Sequence, residues 1–144
     1  MTIDELLQSS GLAEKAVRLD DHLVRMQWGS AFVIAGISGS AVVAIAPLFR
    51  AVPVGKELAF FKKLLEHNAH MGGMASFALQ PDGWVVLHAG RALKGIDGNE
   101  FATLVAGVGR FADQFDDQLI AEFYADAPPP AASTAHSGEF PATD

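Results

Sequence analysis

Among the residues of this sequence, two histidines three positions apart most resemble a metal-binding motif. His67 and His70 stand close to Met71 and Met74, and one helical turn would bring the two imidazole rings together as a ligand pair. The helix is expected to end between them, and no cysteine or carboxylate triplet stands beside them to complete the coordination. The pattern therefore favours a polar helix end, in which His67 interacts with the C-terminal helix dipole, and we predict no metal and no cofactor.

Three carboxylates in the last predicted helix are the next candidates for chemistry. Asp113 and Asp117 are four positions apart on one face, with Asp116 beside them. Acid–base catalysis by such a pair needs a pocket, whereas the polar face of a surface helix favours simple solvation. His88, at the expected end of a strand, is predicted to be a packed or edge histidine.

Other catalytic signatures are absent from the sequence. The glycine–serine run 36–40 has no lysine and no helix after it, so it does not fit a phosphate-binding loop. No serine stands in a nucleophile-elbow pattern. We therefore predict that the protein is not an enzyme.

Composition and charge describe a single acidic domain. The chain has 144 residues, half of them hydrophobic, which is enough for one domain with a hydrophobic core. Up to Gly95 there are 9 Lys and Arg against 8 Asp and Glu, and beyond it there is only Arg110 against 9 acidic residues. An excess of negative charge would repel a phosphate backbone, so we predict no nucleic acid partner. Solubility explains this acidity, and a basic or unfolded protein partner is the alternative.

No apolar run is long enough for a membrane span, because the longest candidate, 31–47, is interrupted by glycine and serine. The start of the chain carries Asp4 and Glu5 where a signal peptide would be basic. There are no cysteines, as expected of a cytoplasmic protein. We predict a cytoplasmic protein without membrane insertion.

Periodicity predicts the elements that must position these residues. Thr2 and Glu5 form a capping box at a first helix, which Gly11 ends unless residues 12–19 extend it after a kink. Period-two runs at 23–28, 31–37 and 41–46 predict a three-stranded meander that Pro47 stops. A helix over 56–68, a hairpin of strands 75–79 and 84–88 around Pro81-Asp82-Gly83, and a long helix capped by Asp97 follow.

The predicted fold is α+β, in the order α-β-β-β-α-β-β-α, with an antiparallel sheet packed by helices. It occupies residues 1–124 as one domain. Residues 125–144 contain three consecutive prolines and are rich in Ala, Ser and Thr, so this tail is predicted to be disordered. Inside the last helix, Gly107 and Gly109 each cost about 1 kcal/mol relative to alanine. A close approach of the helix backbone to another element would justify one of them, and the sequence leaves open which.

The helix over 56–68 has an unusually wide apolar arc. Its apolar residues cover about 160°, counting roughly 100° per residue. They are Leu58, Phe60, Phe61, Leu64 and Leu65. Such an arc indicates either deep burial or a second contact surface, such as a dimer partner.

The second half of the sequence resembles a known family. The pattern consists of Leu64-Leu65-x-x-Asn68, Ala75-x-Phe77-Ala78-Leu79, Asp82-Gly83-x-Val85-Val86-Leu87, Ala92-Leu93-x-x-Ile96-Asp97 and Ala112-Asp113-x-Phe115. It is similar to the class I chaperones of bacterial type III secretion (the Tir chaperone family), and YbjN-like proteins share the fold. The resemblance extends over residues 58–123, whereas the first 50 residues agree only in the order of elements.

The resemblance implies a small acidic homodimer without enzymatic activity, which holds an extended segment of a secreted effector on apolar patches. It places the dimer interface near the second helix and the hairpin, for which we name Leu58, Phe61, Leu65 and Trp84. Effector contact is expected on the first helix and on exposed sheet positions.

Three functions follow in order of preference. The first is a non-catalytic chaperone-like binding protein that captures an extended client segment. The alternative is a YbjN-like regulatory or adaptor protein that binds a folded partner. The third is a small-molecule-binding domain, which needs a polar-lined pocket.

Overall fold

The computed structural model describes residues 1–125. The tail that was predicted to be disordered lies, from residue 126 onward, outside the described residues. The helices are α1 (Ile3–Ser10), α2 (Glu57–His70) and α3 (Gly98–Phe123), and a short 3-10 turn occupies Ala13–Lys15. The strands are β1 (Ala16–Arg18), β2 (Leu23–Trp28), β3 (Ala31–Ser38), β4 (Ala41–Phe49), β5 (Ser76–Leu79) and β6 (Val85–Ala92).

All six strands form one antiparallel sheet in the order β1-β2-β3-β4-β6-β5. The prediction of an α+β fold with an antiparallel sheet packed by helices is confirmed. The structure adds β1, in the segment where the sequence also allowed an extension of the first helix. Gly11 adopts φ 78° and its N–H bonds to carbonyls of the last turn, so α1 ends there and the chain becomes extended.

Strand β4 continues through Pro47, where the sequence predicted a stop. The pairing of β4 with β3 ends at Ile45, and the register with β6 shifts between Pro47 and Phe49. A residue without an N–H donor is tolerated at such an irregular position, since no regular ladder depends on it there.

The main core lies between the sheet and α3. The apolar stripe of this helix is buried at Phe101, Leu104, Val105, Val108, Ala112, Phe115, Leu119 and Phe123. It packs against alternate residues of the central strands, including Val33, Ala35, Val42 and Ala44. Helix α1 packs beside α3 and contributes Ile3, Leu6 and Leu7 to the same core.

The other side chains of β4 and β6 form a second, smaller apolar cluster. It consists of Val43, Ile45, Trp84 and Val86. The guanidinium of Arg50 lies 5.7 Å from the Trp84 ring centroid, and that of Arg25 lies 5.4 Å from the Phe32 ring centroid. Arginines of this kind cover apolar rings while keeping their charge in water.

The two glycines inside α3 have different surroundings. A Cβ on Gly109 would come within 2.4 Å of the Trp28 ring, whereas a Cβ on Gly107 would meet nothing nearer than Met74 Cε at 3.8 Å. The structure therefore assigns the close approach to Gly109, and the element that approaches is the end of β2.

Candidate protein-binding surfaces

Helix α2 divides its wide apolar arc between two directions. Phe60 and Leu64 are buried in the core, where the Phe60 ring lies 5.2 Å from Phe123 and 6.0 Å from Tyr124. Leu58 and Leu65 point the other way and are 85% and 68% exposed. The apolar arc is therefore wider than the part of it that packs against the core of this chain.

The exposed part of α2 forms a continuous surface, here called the α2 stripe and defined by Leu58, Phe61, Leu65 and Ala69. Counting roughly 100° per residue, these four positions fall within about 80° of the helix circumference. Phe61 is partly buried, and the other three are exposed. Lys62 borders the stripe about 20° further round and is also exposed. An apolar stripe of this kind is suited to contact with another protein surface.

Three of the four residues named for a dimer interface therefore share one surface. Leu58, Phe61 and Leu65 lie on the α2 stripe, whereas Trp84 belongs to the second cluster and is only 7% exposed. Trp84 was named for its aromatic type and its place in the hairpin, and neither signal distinguishes burial by the chain itself from burial by a partner.

Strand β1 leaves one edge of the sheet open. Within residues 1–125 it pairs only with β2, with Val17 opposite Arg25 and Arg18 opposite Val24. The N–H of Leu19 donates to Leu23 O at 2.9 Å, and N–H directions alternate along a strand. The N–H of Arg18 therefore points away from β2, toward solvent.

Exposed apolar side chains lie beside this open edge. Val17 is 57% exposed and Leu19 is 43% exposed. On the other side of the strand, a groove of about 200 Å³ separates β1 from α1 and is lined by residues that include Leu7, Ala16 and Val24. Arg18 spans this groove, because its guanidinium contacts the Asp4 carboxylate and donates to Asp20 O at 2.9 Å. The open edge thus combines backbone donors with apolar contacts.

A second groove, of about 440 Å³, lies on the sheet beside the turn before β5. Its lining includes Val43, Ser76, His88 and Gly90. His88 lies in the middle of β6, not at the end of a strand as predicted, and burial lowers the pKa of its imidazole. A small-molecule-binding function could use this groove.

Of the two histidines of α2, His67 has a packing role. The helix continues to His70, beyond the predicted end at residue 68, so His67 and His70 both belong to its last turn. The His67 ring stacks on Phe115 with 4.3 Å between centroids, and burial, together with Lys63, lowers the pKa of its imidazole. In residues 1–125 no group of three His, Cys, Asp or Glu side chains is arranged to hold a metal ion.

The sequence missed a polar cluster that links α3 to the β2–β3 turn. The Ser30 hydroxyl oxygen lies 3.0 Å from Asp113 Oδ1 and 2.5 Å from Asp116 Oδ2, and the Ser30 N–H also donates to Asp113. Since a hydroxyl carries one hydrogen, it cannot donate to both carboxylates at once. Burial raises the pKa of Asp116, which favours a proton on that carboxyl group. Only the break between the period-two runs 23–28 and 31–37 and the spacing of the aspartates hinted at this contact.

No helix within residues 1–125 combines the length and the apolar character that crossing a bilayer requires.

Comparisons with known proteins show which solved structures share this fold. No protein-family model and no curated protein matches this chain. Among solved structures, a chain of the heterodimeric ExoU–SpcU complex from the type III secretion system of Pseudomonas aeruginosa superimposes with a TM-score of 0.60. It is 20% identical, over 81% of this chain and 96% of that one. A chain of the ExsC–ExsE complex has a TM-score of 0.55 and 16% identity, over 92% of this chain and all of that one. The chain therefore has the fold of the type III secretion chaperones, as the resemblance implied.

Proposed function

We propose that the protein is a non-catalytic, chaperone-like binding protein that holds an extended segment of a client protein. The observation that carries the proposal is the open β1 edge, where an outward-pointing N–H lies beside the exposed side chains of Val17 and Leu19. The two similar structures named above are complexes with a second protein, which supports a protein as the ligand.

The proposed mechanism is addition of a client strand to the sheet. Backbone hydrogen bonds at Arg18 would supply affinity that does not depend on client sequence, and apolar contacts with Val17 and Leu19 would add preference for hydrophobic segments. The groove between α1 and β1 extends this surface toward the first helix, where effector contact was expected. Following the resemblance, we propose a secreted effector as the client and the cytoplasm as the location.

We further propose that the α2 stripe joins two copies of the chain. Leu58 and Leu65 are the large apolar residues of α2 that its own core leaves exposed, and burying them against a second stripe would remove that surface from water. The client edge and the α2 stripe belong to opposite ends of the sheet, because β1 and β5 are its two edges and α2 packs beside β5. One copy could therefore bind a client and a partner at the same time.

The client mechanism is tested with two variants of the same residue. Arg18→Pro removes the outward N–H without removing a hydrogen bond to β2, whereas Arg18→Ala removes only the side chain. Full-length wild type and both variants serve as baits in native cell extract, and bound proteins are identified by mass spectrometry and mapped by cross-linking. We expect one dominant partner, cross-linked through an extended segment to residues beside β1.

Arg18→Pro should lower capture about two- to thirteenfold, the equivalent of one hydrogen bond of about 0.5–1.5 kcal/mol, while Arg18→Ala retains capture. Equal capture by both variants, or cross-links to a folded domain of the partner away from β1, would count against strand addition. The second result would favour the adaptor function.

A further inference from the structure

The side of β6 that faces β5 is paired over only half of its length. Strand β6 has 8 residues and β5 has 4, and their pairing ends where Ser76 lies opposite His88. In the described part of the chain no strand lies beside residues 89–92 on this side. The groove of about 440 Å³ lies there. We call it the β6 groove and define it by Ser76, His88, Gly90 and Arg91.

Backbone groups of β6 point into this groove. The N–H of Leu93 donates to Ser40 O at 2.8 Å and therefore points toward β4. Since these directions alternate along a strand, the N–H and C=O groups of Ala92 and Gly90 point the other way, into the groove. The Gly90 C=O accepts from Arg91 Nη1 at 2.8 Å, whereas within residues 1–125 the Gly90 N–H has no backbone acceptor. The groove thus offers the hydrogen-bonding groups of an unpaired strand.

The glycine at position 90 is not required by the packing of the chain itself. A Cβ on Gly36, the other glycine inside a described strand, would come within 2.4 Å of His22 O. A Cβ on Gly90 would meet nothing nearer than Val42 O at 3.5 Å, which is an ordinary contact. Glycine inside a strand often marks a place where a ligand or another backbone approaches closely. Without a side chain at Gly90, its cross-strand neighbour Val43 forms an apolar floor of the groove.

The position of β5 limits what the groove can hold. A segment antiparallel to β6 would run in the same direction as β5, because β5 is itself antiparallel to β6. Its carboxyl end would face Ala75, which precedes β5 and lines the groove, so the segment has to end opposite Gly90. The C-terminus of a polypeptide meets this condition, and antiparallel pairing is the slightly more stable arrangement.

The charges around the groove also admit a carboxylate. Arg91 is the charged residue among those that line it, and the lining contains no Asp or Glu. Arg91 Nε lies 3.6 Å from Glu100 Oε1, but Glu100 is 55% exposed, so solvent weakens this attraction. The carbonyl end of α2 lies just before Gly73, another lining residue, and opposes an anion. We therefore expect a weak complex.

We propose that the β6 groove binds the C-terminal residues of a partner protein as an extended strand antiparallel to β6. The terminal carboxylate accepts hydrogen bonds from the Gly90 N–H and the Arg91 guanidinium, and the last side chain lies on Val43, which favours an apolar last residue. The groove lies beside β5, at the opposite edge of the sheet from β1, so this site is separate from the proposed client edge and does not depend on it.

The proposal is tested by NMR titration of the isotope-labelled full-length protein with two synthetic peptides. The first is an N-acetylated hexapeptide of serine and alanine that ends in valine with a free carboxylate, and the second is the same peptide with a C-terminal amide. We expect the free acid to shift the signals of Gly90 and Ala92 in a saturable way. The amide should bind about five- to tenfold more weakly, because hydrogen bonds to a charged acceptor are stronger.

Two outcomes of the titration would overturn the proposal. Equal affinity for the acid and the amide would exclude recognition of the carboxylate. Shifts at Val17 and Arg18 with none at Gly90 would show that the peptide pairs with β1 and leaves the groove empty.

Two substitutions separate the side-chain contact from the backbone contact. Arg91→Gln should lower the affinity of the free acid to that of the amide and leave the affinity of the amide unchanged. Gly90→Pro removes the N–H that points into the groove without removing a bond to β4, and it should weaken binding of the free acid about tenfold or more. Gly90→Ala keeps the N–H and is the matched control.

An equal loss for both peptides with Arg91→Gln would refute the contact between Arg91 and the carboxylate. Undiminished binding by a folded Gly90→Pro variant would refute strand pairing. The amide spectrum of each variant shows whether it folds, and if Gly90→Pro does not, the Arg91→Gln comparison decides alone.

Discussion

At the scale of single residues, two glycines of α3 show that the role of a glycine depends on which residue, distant in sequence, packs against it. Gly107 and Gly109 have the same intrinsic cost in a helix. Only Gly109 lies against another element, with the Trp28 ring where its side chain would be. The ammonium group of Lys15 lies over the same ring, 3.6 Å from its centroid, so Trp28 contacts Lys15 as well as α3. The sequence predicted a close approach at one of the two positions, but the choice depends on which strand end meets α3.

The glycine pair supplies a prediction with its own control. Gly109→Ala should destabilise the protein by about 1–3 kcal/mol, because the new methyl group forces Trp28 to move. Gly107→Ala should stabilise it by up to about 1 kcal/mol, since the methyl group meets only ordinary contacts. Urea unfolding followed by far-ultraviolet circular dichroism gives both values. Equal changes in the two variants would contradict the assignment of the close approach to Gly109.

The Ser30 cluster predicts a specific dependence of stability on pH. Burial raises the pKa of Asp116, so the folded protein keeps this proton at pH values where the unfolded chain has lost it. This group therefore lowers stability as pH rises from its ordinary pKa of 3.8 through the raised folded value. Asp116→Asn should be more stable than wild type near neutrality, and the difference should shrink below pH 3.8.

Asp113 is the comparison residue, because its pKa is shifted in the opposite direction. Hydrogen bonds from Ser30 lower the pKa of this exposed carboxyl group, so its stabilisation is present above pH 3.8 and is lost as pH falls through the lowered value. Asp113→Asn should therefore be less stable than wild type near neutrality. Thermal unfolding across this pH range measures both variants, and parallel curves for Asp116→Asn and wild type would refute a raised pKa at Asp116.

At the scale of elements, α2 and β5 are joined by a side chain that the family pattern already contained. Asn68 Oδ1 accepts a hydrogen bond of 2.7 Å from the N–H of Phe77. Strand β5 is an edge strand of four residues, so it has few other constraints on its position. The family pattern contained Asn68 without explaining it, and the structure shows that this side chain links α2 to β5.

Loss of this link should be measurable. Asn68→Ala leaves the N–H of Phe77 without its acceptor, which should cost about 1–3 kcal/mol of stability. Asn68→Asp keeps an acceptor oxygen at the same place and should cost less. Chemical denaturation ranks the variants, and amide hydrogen exchange should show faster exchange in β5 for Asn68→Ala. Unchanged exchange there would mean that other contacts hold the strand.

The elements that the sequence predicted well have longer patterns or clearer signals than the element that it missed. Helix α3 has a long, regular pattern, and the hairpin of β5 and β6 has a clear turn signal at Pro81-Asp82-Gly83; the structure contains both. Strand β1 has only three residues, too few for a period-two pattern to be recognised, and its existence depends on pairing with β2. The open edge that carries the proposed function was therefore the part that sequence periodicity could least reveal.

At the scale of the whole molecule, the proposed dimer gives the clearest prediction. Leu58→Glu combined with Leu65→Glu should convert a dimer into a monomer with little change in unfolding temperature, because both leucines are exposed in the single chain. Leu19→Glu is the matched control, since this leucine is also exposed but lies next to the opposite edge of the sheet. Light scattering after size-exclusion chromatography determines the mass.

A wild-type protein that stays monomeric across micromolar concentrations would refute the interface. Phe61→Asp is a less decisive variant, because Phe61 is partly buried and packs against the core. Its substitution would affect the fold and the dimer together.

The order of strands has a consequence for how the chain folds. Four of the five strand pairings join neighbours in sequence through short connections, so they can form early at a small cost in loop-closure entropy. The exception is the pairing of β4 with β6, where Ala41 meets Ala92 across the whole of α2 and β5. We therefore expect the meander and the hairpin to form as two separate units during synthesis, and their joining to be the slow step. Until α3 emerges and covers both, the apolar faces of β4 and β6 remain exposed, so the protein is itself most vulnerable to aggregation in that interval.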